Sequence, residues 1–191
     1  MHLKILLSGD GGQGIQFMSD VICKAAFEKD WFVSHIPNYG LEQRGGISLA
    51  FIQISDKEIA YPRFTKPDVM AVLSHQAHDR VKQYVHDECE MLNIDNYEEK
   101  LKEQKVPVQS YNIFFLGLLA TLLEEKNICK KEDVFALIEK KLSVKPGWEE
   151  NQRCWNLKFE IFKQIINLKF KNYKLFSNCK LKIINLNLCV E

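Results

Sequence analysis

The chain has 191 residues, 46% of them hydrophobic, and a formal charge of +1 from 26 basic and 25 acidic side chains. That length fits one domain with a sizeable core. The even charge balance argues against a dedicated nucleic-acid or membrane-surface protein, which shows a basic excess, but leaves room for a small local anion site.

Leu3 to Leu7 is a nearly continuous apolar run, as a buried strand requires. Ser8-Gly9-Asp10-Gly11-Gly12-Gln13-Gly14-Ile15 follows, with four glycines in six positions. Glycine loses the most backbone entropy on folding, so such a cluster belongs where the chain turns sharply or lies close against something. Ile15, Met18, Ile22, Ala25 and Ala26 then recur at helical spacing, which predicts a helix over 16–29 packed by one face on a sheet. Trp31 to Ile36 reads as a second strand, completing strand–turn–helix–strand.

Pro37 to Gly46 is a loop, and seven of the nine glycines occur before residue 47. Both glycine-rich stretches follow strands. In a parallel sheet both lie at the carboxyl edge, where open α/β sheets bind ligands. Ile47 to Ser55 predicts a long strand, Asp56-Lys57 a polar turn, and Glu58 to Ala60 a short hairpin partner. The two prolines between Tyr61 and Pro67 predict irregular chain. Val69 to Leu73 is another buried strand, and 76–86 a polar helix. Strand, surface helix and edge strand are expected over 89–94, 97–105 and 106–109.

Asn112 to Lys126 is apolar almost all round until Glu124, so this helix is buried on more than one side, against the sheet or against another protein. Helices are also expected over 132–142 and 150–166, separated by Pro146-Gly147. Residues 167–191 hold five Lys, five Asn and one acid, with no Gly or Pro. An added strand pair, a poorly ordered tail and a compositional extension all fit that pattern. The expected division is a domain over 1–166 and an extension over 167–191.

The six cysteines (23, 89, 129, 154, 179 and 189) form no C-x-x-C pair and no cluster suited to zinc or an iron–sulfur centre. The N-terminus begins a strand rather than a signal peptide, and the longest apolar run, Ile113 to Leu123, is shorter than the roughly 20 residues of a membrane span. The expectation is a soluble, cytoplasmic protein with free, mostly buried thiols. His75 and His78 lie three apart, but a metal needs a third ligand, and a solvated helix start is the preferred reading. Trp31, Trp148 and Trp155 are expected as core or interface anchors. There is no G-x-S-x-G, Walker loop or H-E-x-x-H motif.

Gly9-x-Gly11-x-x-Gly14 matches the dinucleotide fingerprint, and backbone N–H groups at a helix start suit a phosphate. The fingerprint also calls for an acid at the end of the second strand; here that stretch reads Ser34-His35-Ile36-Pro37. Asp10 inside the turn would repel a pyrophosphate unless screened. Gln13 stands out, because its amide both donates and accepts. In the second stretch, Glu42 and Arg44 either pair with each other, or Arg44 presents its guanidinium to a carboxylate or phosphate. Tyr39 is placed to stack or hydrogen-bond at the same edge.

Together, Gly9-x-Gly11-Gly12-Gln13-Gly14-Ile15 and Tyr39-Gly40-x-Glu42-x-Arg44-Gly45-Gly46 closely resemble the gamma subunit of 2-oxoacid:ferredoxin oxidoreductases, the pyruvate, 2-oxoglutarate and related ketoacid enzymes. Asp68 to Ser74 and Asn112 to Ala120 also resemble segments of that family. The resemblance runs from about residue 3 to 165 and omits the tail. It implies a three-layer α/β/α fold with a mostly parallel sheet. It implies a complex that decarboxylates a 2-oxoacid on thiamine diphosphate with Mg, passes electrons through iron–sulfur clusters to ferredoxin, and forms an acyl-CoA. The thiamine and cluster sites then lie mainly on alpha, beta and delta-type partner subunits, and this chain is inactive alone, with no catalytic residue, no metal ligand and no cofactor of its own. Nucleic acid and membrane are not expected partners. Gly9, Gly11, Gly12, Gln13, Gly14, Tyr39, Gly40, Glu42, Arg44, Gly45 and Gly46 become the positions near the coenzyme A side of the complex. The competing expectation is a free-standing dinucleotide-binding oxidoreductase using Gly9, Gly11 and Gly14. A 2-oxoglutarate-type enzyme is favoured by the Tyr-Gly-x-Glu-x-Arg-Gly-Gly form of the second stretch.

Overall fold

The apolar run at the start of the chain is explained by its position. β1 (His2–Asp10) is the central strand of a sheet that has five strands among the described residues, and Leu3, Ile5, Leu6 and Leu7 are all buried. A strand covered on both faces has no solvent side for polar residues. The computed structural model describes residues 1–39 and 46–157. The elements after β1 are α1 (Ile15–Phe27), β2 (Phe32–Tyr39), β3 (Ile47–Ser55), β4 (Val69–Val72), α2 (His75–Val81), β5 (Glu90–Asn93), α3 (Glu98–Glu103), α4 (Tyr111–Glu125) and α5 (Lys131–Leu142). Residues 148–157 are also helical. The expected boundary at 166 and the segment 167–191 fall outside the described residues.

The strand order is β2-β3-β1-β4-β5. β1, β4 and β5 run parallel, while β3 runs antiparallel to both β1 and β2. Four of the five strands therefore point one way, and the mostly parallel α/β/α architecture holds with one reversed strand inserted between β1 and β2. α1 crosses over that insertion and packs on β2 and β3. α4 and α5 lie against α1 on the same side. On the opposite face α2 closes a cluster of Leu6, Leu49, Met70, Val72, Ala77 and Val81. The three layers follow from strand alternation, because Leu6 and Met70 point to one face while Ile5, Leu7 and Ala71 point to the other.

α4 is buried within the chain itself. Its burial falls against α1 and α5 and against Tyr97, whose ring meets Phe114 and Phe115 edge-on at 5.4 and 5.7 Å. The tryptophans act as anchors. Trp31 Nε1 donates to the Ile128 carbonyl at 3.0 Å, Trp148 stacks on Phe135 at 5.8 Å, and Trp155 lies 5.2 Å from the same ring.

Three expectations are corrected. No hairpin strand forms at 58–60, because β3 already pairs with β1 on one side and β2 on the other and has no free edge. Gln53, whose Nε2 donates to the Tyr61 carbonyl at 2.9 Å, holds the returning chain instead. No edge strand forms at 106–109. Lys105 takes a left-handed φ of 53° and the Val106 N–H closes α3 on the Leu101 carbonyl at 2.9 Å. Val108–Ser110 then makes a 3-10 turn leading into α4. The polar helix expected over 76–86 stops at Val81 and tightens into a 3-10 turn over Lys82–Tyr84.

Candidate functional site

The chain leaves β1 at Asp10 and turns so tightly that the Gln13 N–H bonds back to the Asp10 carbonyl at 3.1 Å. Gly12 and Gly14 sit at φ values of 96° and 80°, which L side chains rarely adopt. Gly14 is the N-cap of α1 and contributes no side-chain cap. A Cβ there would come within 2.3 Å of Asn112 Nδ2, so the missing side chain lets the start of α4 approach the start of α1. A Cβ at Gly9 would meet Gln13 Oε1 at 2.7 Å and Ile15 Cδ1 at 2.8 Å, whereas Gly12 faces open space. Gly11 and Gly12 are exposed.

Gln13 is a clasp. Its Oε1 accepts the Asp10 N–H at 2.8 Å, and its Nε2 donates to the Leu73 carbonyl at 3.4 Å, tying the turn to the exit of β4. Ser74 makes a second tie, donating from Oγ to Asp10 Oδ1 at 2.7 Å. The second glycine stretch is joined through its last residue, since the Gly11 N–H donates to the Gly46 carbonyl at 2.8 Å. Tyr39 ends β2 in register with Ser48. Gly40, Glu42, Arg44 and Gly45, and with them the expected Glu42–Arg44 pair, lie outside the described residues.

This edge suits an anion. The first turn of α1 carries no acidic residue and its N-terminal N–H groups have no side-chain cap. Beside it the carboxamide oxygen of Asn112 is buried with no hydrogen-bond partner among the described residues. Asp10 is the one acid in the turn, and its carboxylate is taken up by Ser74. Asn112, Leu73 and Ser74 are the parts that sequence reasoning missed. They lie about 60 to 100 residues further along the chain, and no local pattern ties them to the turn.

Other candidates lie elsewhere. His75 is exposed, with Nδ1 2.7 Å from Asp95 Oδ1 and Nε2 3.5 Å from Glu98 Oε2. Among the described residues, no three His, Cys, Asp or Glu side chains come together to hold a metal. Cys23, Cys89, Cys129 and Cys154 are free thiols. Burial, with Asp20 nearby, pushes Cys23 up to about 12, and burial beside Glu150 does the same to Cys154. These are poor nucleophiles at neutral pH. An open cavity of about 420 Å³, lined by Met1, His2, Asp68, Glu88, Glu90 and Lys126 among others, sits at the opposite, amino edge of the strands. Among the described residues no helix is long and apolar enough to cross a membrane.

A central strand, a glycine turn leading into an uncapped helix, and Gly46 bonded to that turn at the carboxyl edge define a mixed α/β domain. Residues 4–161 match the model of the pyruvate ferredoxin/flavodoxin oxidoreductase family, and the chain belongs to that family. The resemblance carried by the two glycine stretches holds. A 2-oxoglutarate synthase subunit, KorC, of Methanocaldococcus jannaschii is 31% identical over 182 residues, covering 86% of this chain and 96% of that protein. Two solved structures share the fold. A 2-oxoglutarate:ferredoxin oxidoreductase from Magnetococcus marinus superposes with a TM-score of 0.69 at 18% identity, over 85% of this chain and 31% of that one. The gamma subunit of a keto/oxoacid ferredoxin oxidoreductase from Geobacter sulfurreducens superposes with a TM-score of 0.58 at 20% identity, over 83% of this chain and 97% of that one.

Proposed function

We propose that the chain is the gamma subunit of a thiamine-diphosphate-dependent 2-oxoacid:ferredoxin oxidoreductase, docking on alpha, beta and delta-type subunits and forming the coenzyme A side of their shared site. The observation that supports this reading is the bond from the Gly11 N–H to the Gly46 carbonyl, which ties the first glycine stretch to the last residue of the second. The KorC relative, aligned along nearly its whole length, supports 2-oxoglutarate as the substrate class. Thiamine diphosphate, Mg and the iron–sulfur clusters belong to the partner subunits in this reading, and ferredoxin takes the electrons. The setting is the cytoplasm.

The residues fit coenzyme A as an anion. Gly9, Gly11, Gly12, Gln13 and Gly14 form the turn in this reading: Gly11 and Gly12 expose their backbone, a Cβ at Gly12 would meet nothing within 4 Å, and Gly14 opens an uncapped helix. In this reading Tyr39, Gly40, Glu42, Arg44, Gly45 and Gly46 also belong to the site, with Arg44 as the guanidinium for a phosphate or a partner's carboxylate. When bound, coenzyme A supplies the thiol that accepts the acyl group. This chain binds and orients it and helps exclude water. The test is Arg44→Ala in the assembled complex. A raised KM for coenzyme A with normal assembly supports the reading. Failed assembly instead favours a pure scaffold, in which the loops serve only subunit contacts.

The fingerprint Gly9-x-Gly11-x-x-Gly14 favours a second reading, a free-standing dinucleotide-dependent oxidoreductase. In that fold a second parallel strand lies beside the first and ends in the ribose-binding acid. Here antiparallel β3 takes that place and β2 ends at Asn38-Tyr39. Titration with NADH, NADPH and FAD separates the two, the first reading requiring no binding to the isolated chain.

A further inference from the structure

An acid within a turn that faces anions has to be held somewhere. Asp10 is that acid, and its Oδ1 receives the Ser74 hydroxyl proton at 2.7 Å. The same hydroxyl oxygen accepts the Ala77 N–H at 3.1 Å as the N-cap of α2. A hydroxyl does both at once because it donates one proton and still has lone pairs. Ser74 is buried, and Leu73 before it is fixed both ways, its N–H on the Ser8 carbonyl at 2.9 Å and its carbonyl on Gln13 Nε2 at 3.4 Å. The Asp10 backbone N–H is likewise engaged by Gln13 Oε1. The carboxylate is thus drawn to the start of α2 by a side chain whose own position is fixed by β4.

We propose that Ser74 is a positioning residue of the glycine edge: its hydroxyl holds the Asp10 carboxylate against the start of α2 and so keeps that negative charge from obstructing an anionic group at the turn. This rests on the reading of the edge as the coenzyme A side of the complex. Ser74 touches no ligand itself. Its effect passes through Asp10, which makes the dependence on Asp10 the diagnostic property.

The experiment measures KM for coenzyme A and kcat in the complex assembled with its partner subunits. Ser74→Asp keeps an oxygen for the Ala77 N–H but sets carboxylate against carboxylate. KM rises roughly tenfold with kcat nearly unchanged, the scale of one lost hydrogen bond to a charged group. Ser74→Ala, which also releases the carboxylate, gives a rise in the same direction. Asp10→Asn alone leaves KM at or below the wild-type value. Added to either Ser74 variant, it returns KM to within about twofold, because the charge that obstructed the edge is gone. Loss of an α2 cap alone predicts no such rescue. The proposal is overturned if Ser74→Asp has the wild-type KM while Arg44→Ala raises it, or if Asp10→Asn fails to restore the Ser74 variants. If Arg44→Ala and the Ser74 variants all leave KM unchanged, the coenzyme A reading of the edge fails and the positioning role falls with it.

Discussion

Gly11 and Gly46 face each other because of strand register. In the β1–β3 ladder Asp10 stands opposite Ile47, and one step further brings Gly11 opposite Gly46, where its N–H donates to the carbonyl at 2.8 Å. The second glycine stretch reaches the first by entering β3, the reversed strand. The Gly11 amide is therefore expected to behave as a ladder amide although its residue is exposed. Hydrogen exchange measured by NMR checks this. Protection comparable to that of the β1 amides is expected, and exchange at the free-peptide rate contradicts it.

The two left-handed glycines are not equivalent. Gly12→Ala meets only backbone strain, since nothing lies within 4 Å, and costs about 1–2 kcal/mol. Gly14→Ala adds a clash with Asn112, so it costs more, about 2–4 kcal/mol in all. Urea unfolding of both variants checks the order. Asn112→Ala in the Gly14→Ala background recovers part of the loss, and equal costs at the two glycines contradict the packing argument.

Gln13→Ala leaves the Asp10 N–H without its acceptor and unties the turn from Leu73. The expected loss is about 1–2 kcal/mol. Gln13→Glu keeps the acceptor and loses the donor, and it falls between the two in a melting series. A Gln13→Ala variant as stable as wild type sinks the clasp.

Although His35 is exposed on β2, partial desolvation lowers its value, against the raising influence of Asp20. The unfolded chain binds its proton near the ordinary value of about 6.5, the folded chain only at lower pH. Stability from neutral His35 is present above that value and is lost as pH falls through the folded-state value. Between about pH 7.5 and about pH 5.5 wild type should therefore lose more stability than His35→Gln. Parallel pH slopes in chemical denaturation contradict this.

Much of the fold can be read from periodicity. β1, β3 and α4 announce themselves because apolar runs and helical spacing report burial, and Ile47–Ser55 is both the expected and the observed span of β3. The direction of β3 is not written in its residues, since the same alternation serves a parallel or an antiparallel neighbour. Local chemistry misleads at 58–60, where a turn signal is overruled by a strand with both edges occupied, and at 106–109, where the closure of α3 takes the chain. At the candidate site the glycines are legible because they answer to backbone geometry. Ser74 and Asn112 are not, because their part depends on contacts made across more than 60 residues of chain.

As proposed above, this chain completes a 2-oxoacid:ferredoxin oxidoreductase. The most direct test is reconstitution: coenzyme A-dependent reduction of ferredoxin by the purified partner subunits with 2-oxoglutarate, with and without this chain. Strong activity is expected only with the chain present, and none from the chain alone. Equal activity in its presence and absence would contradict the proposal.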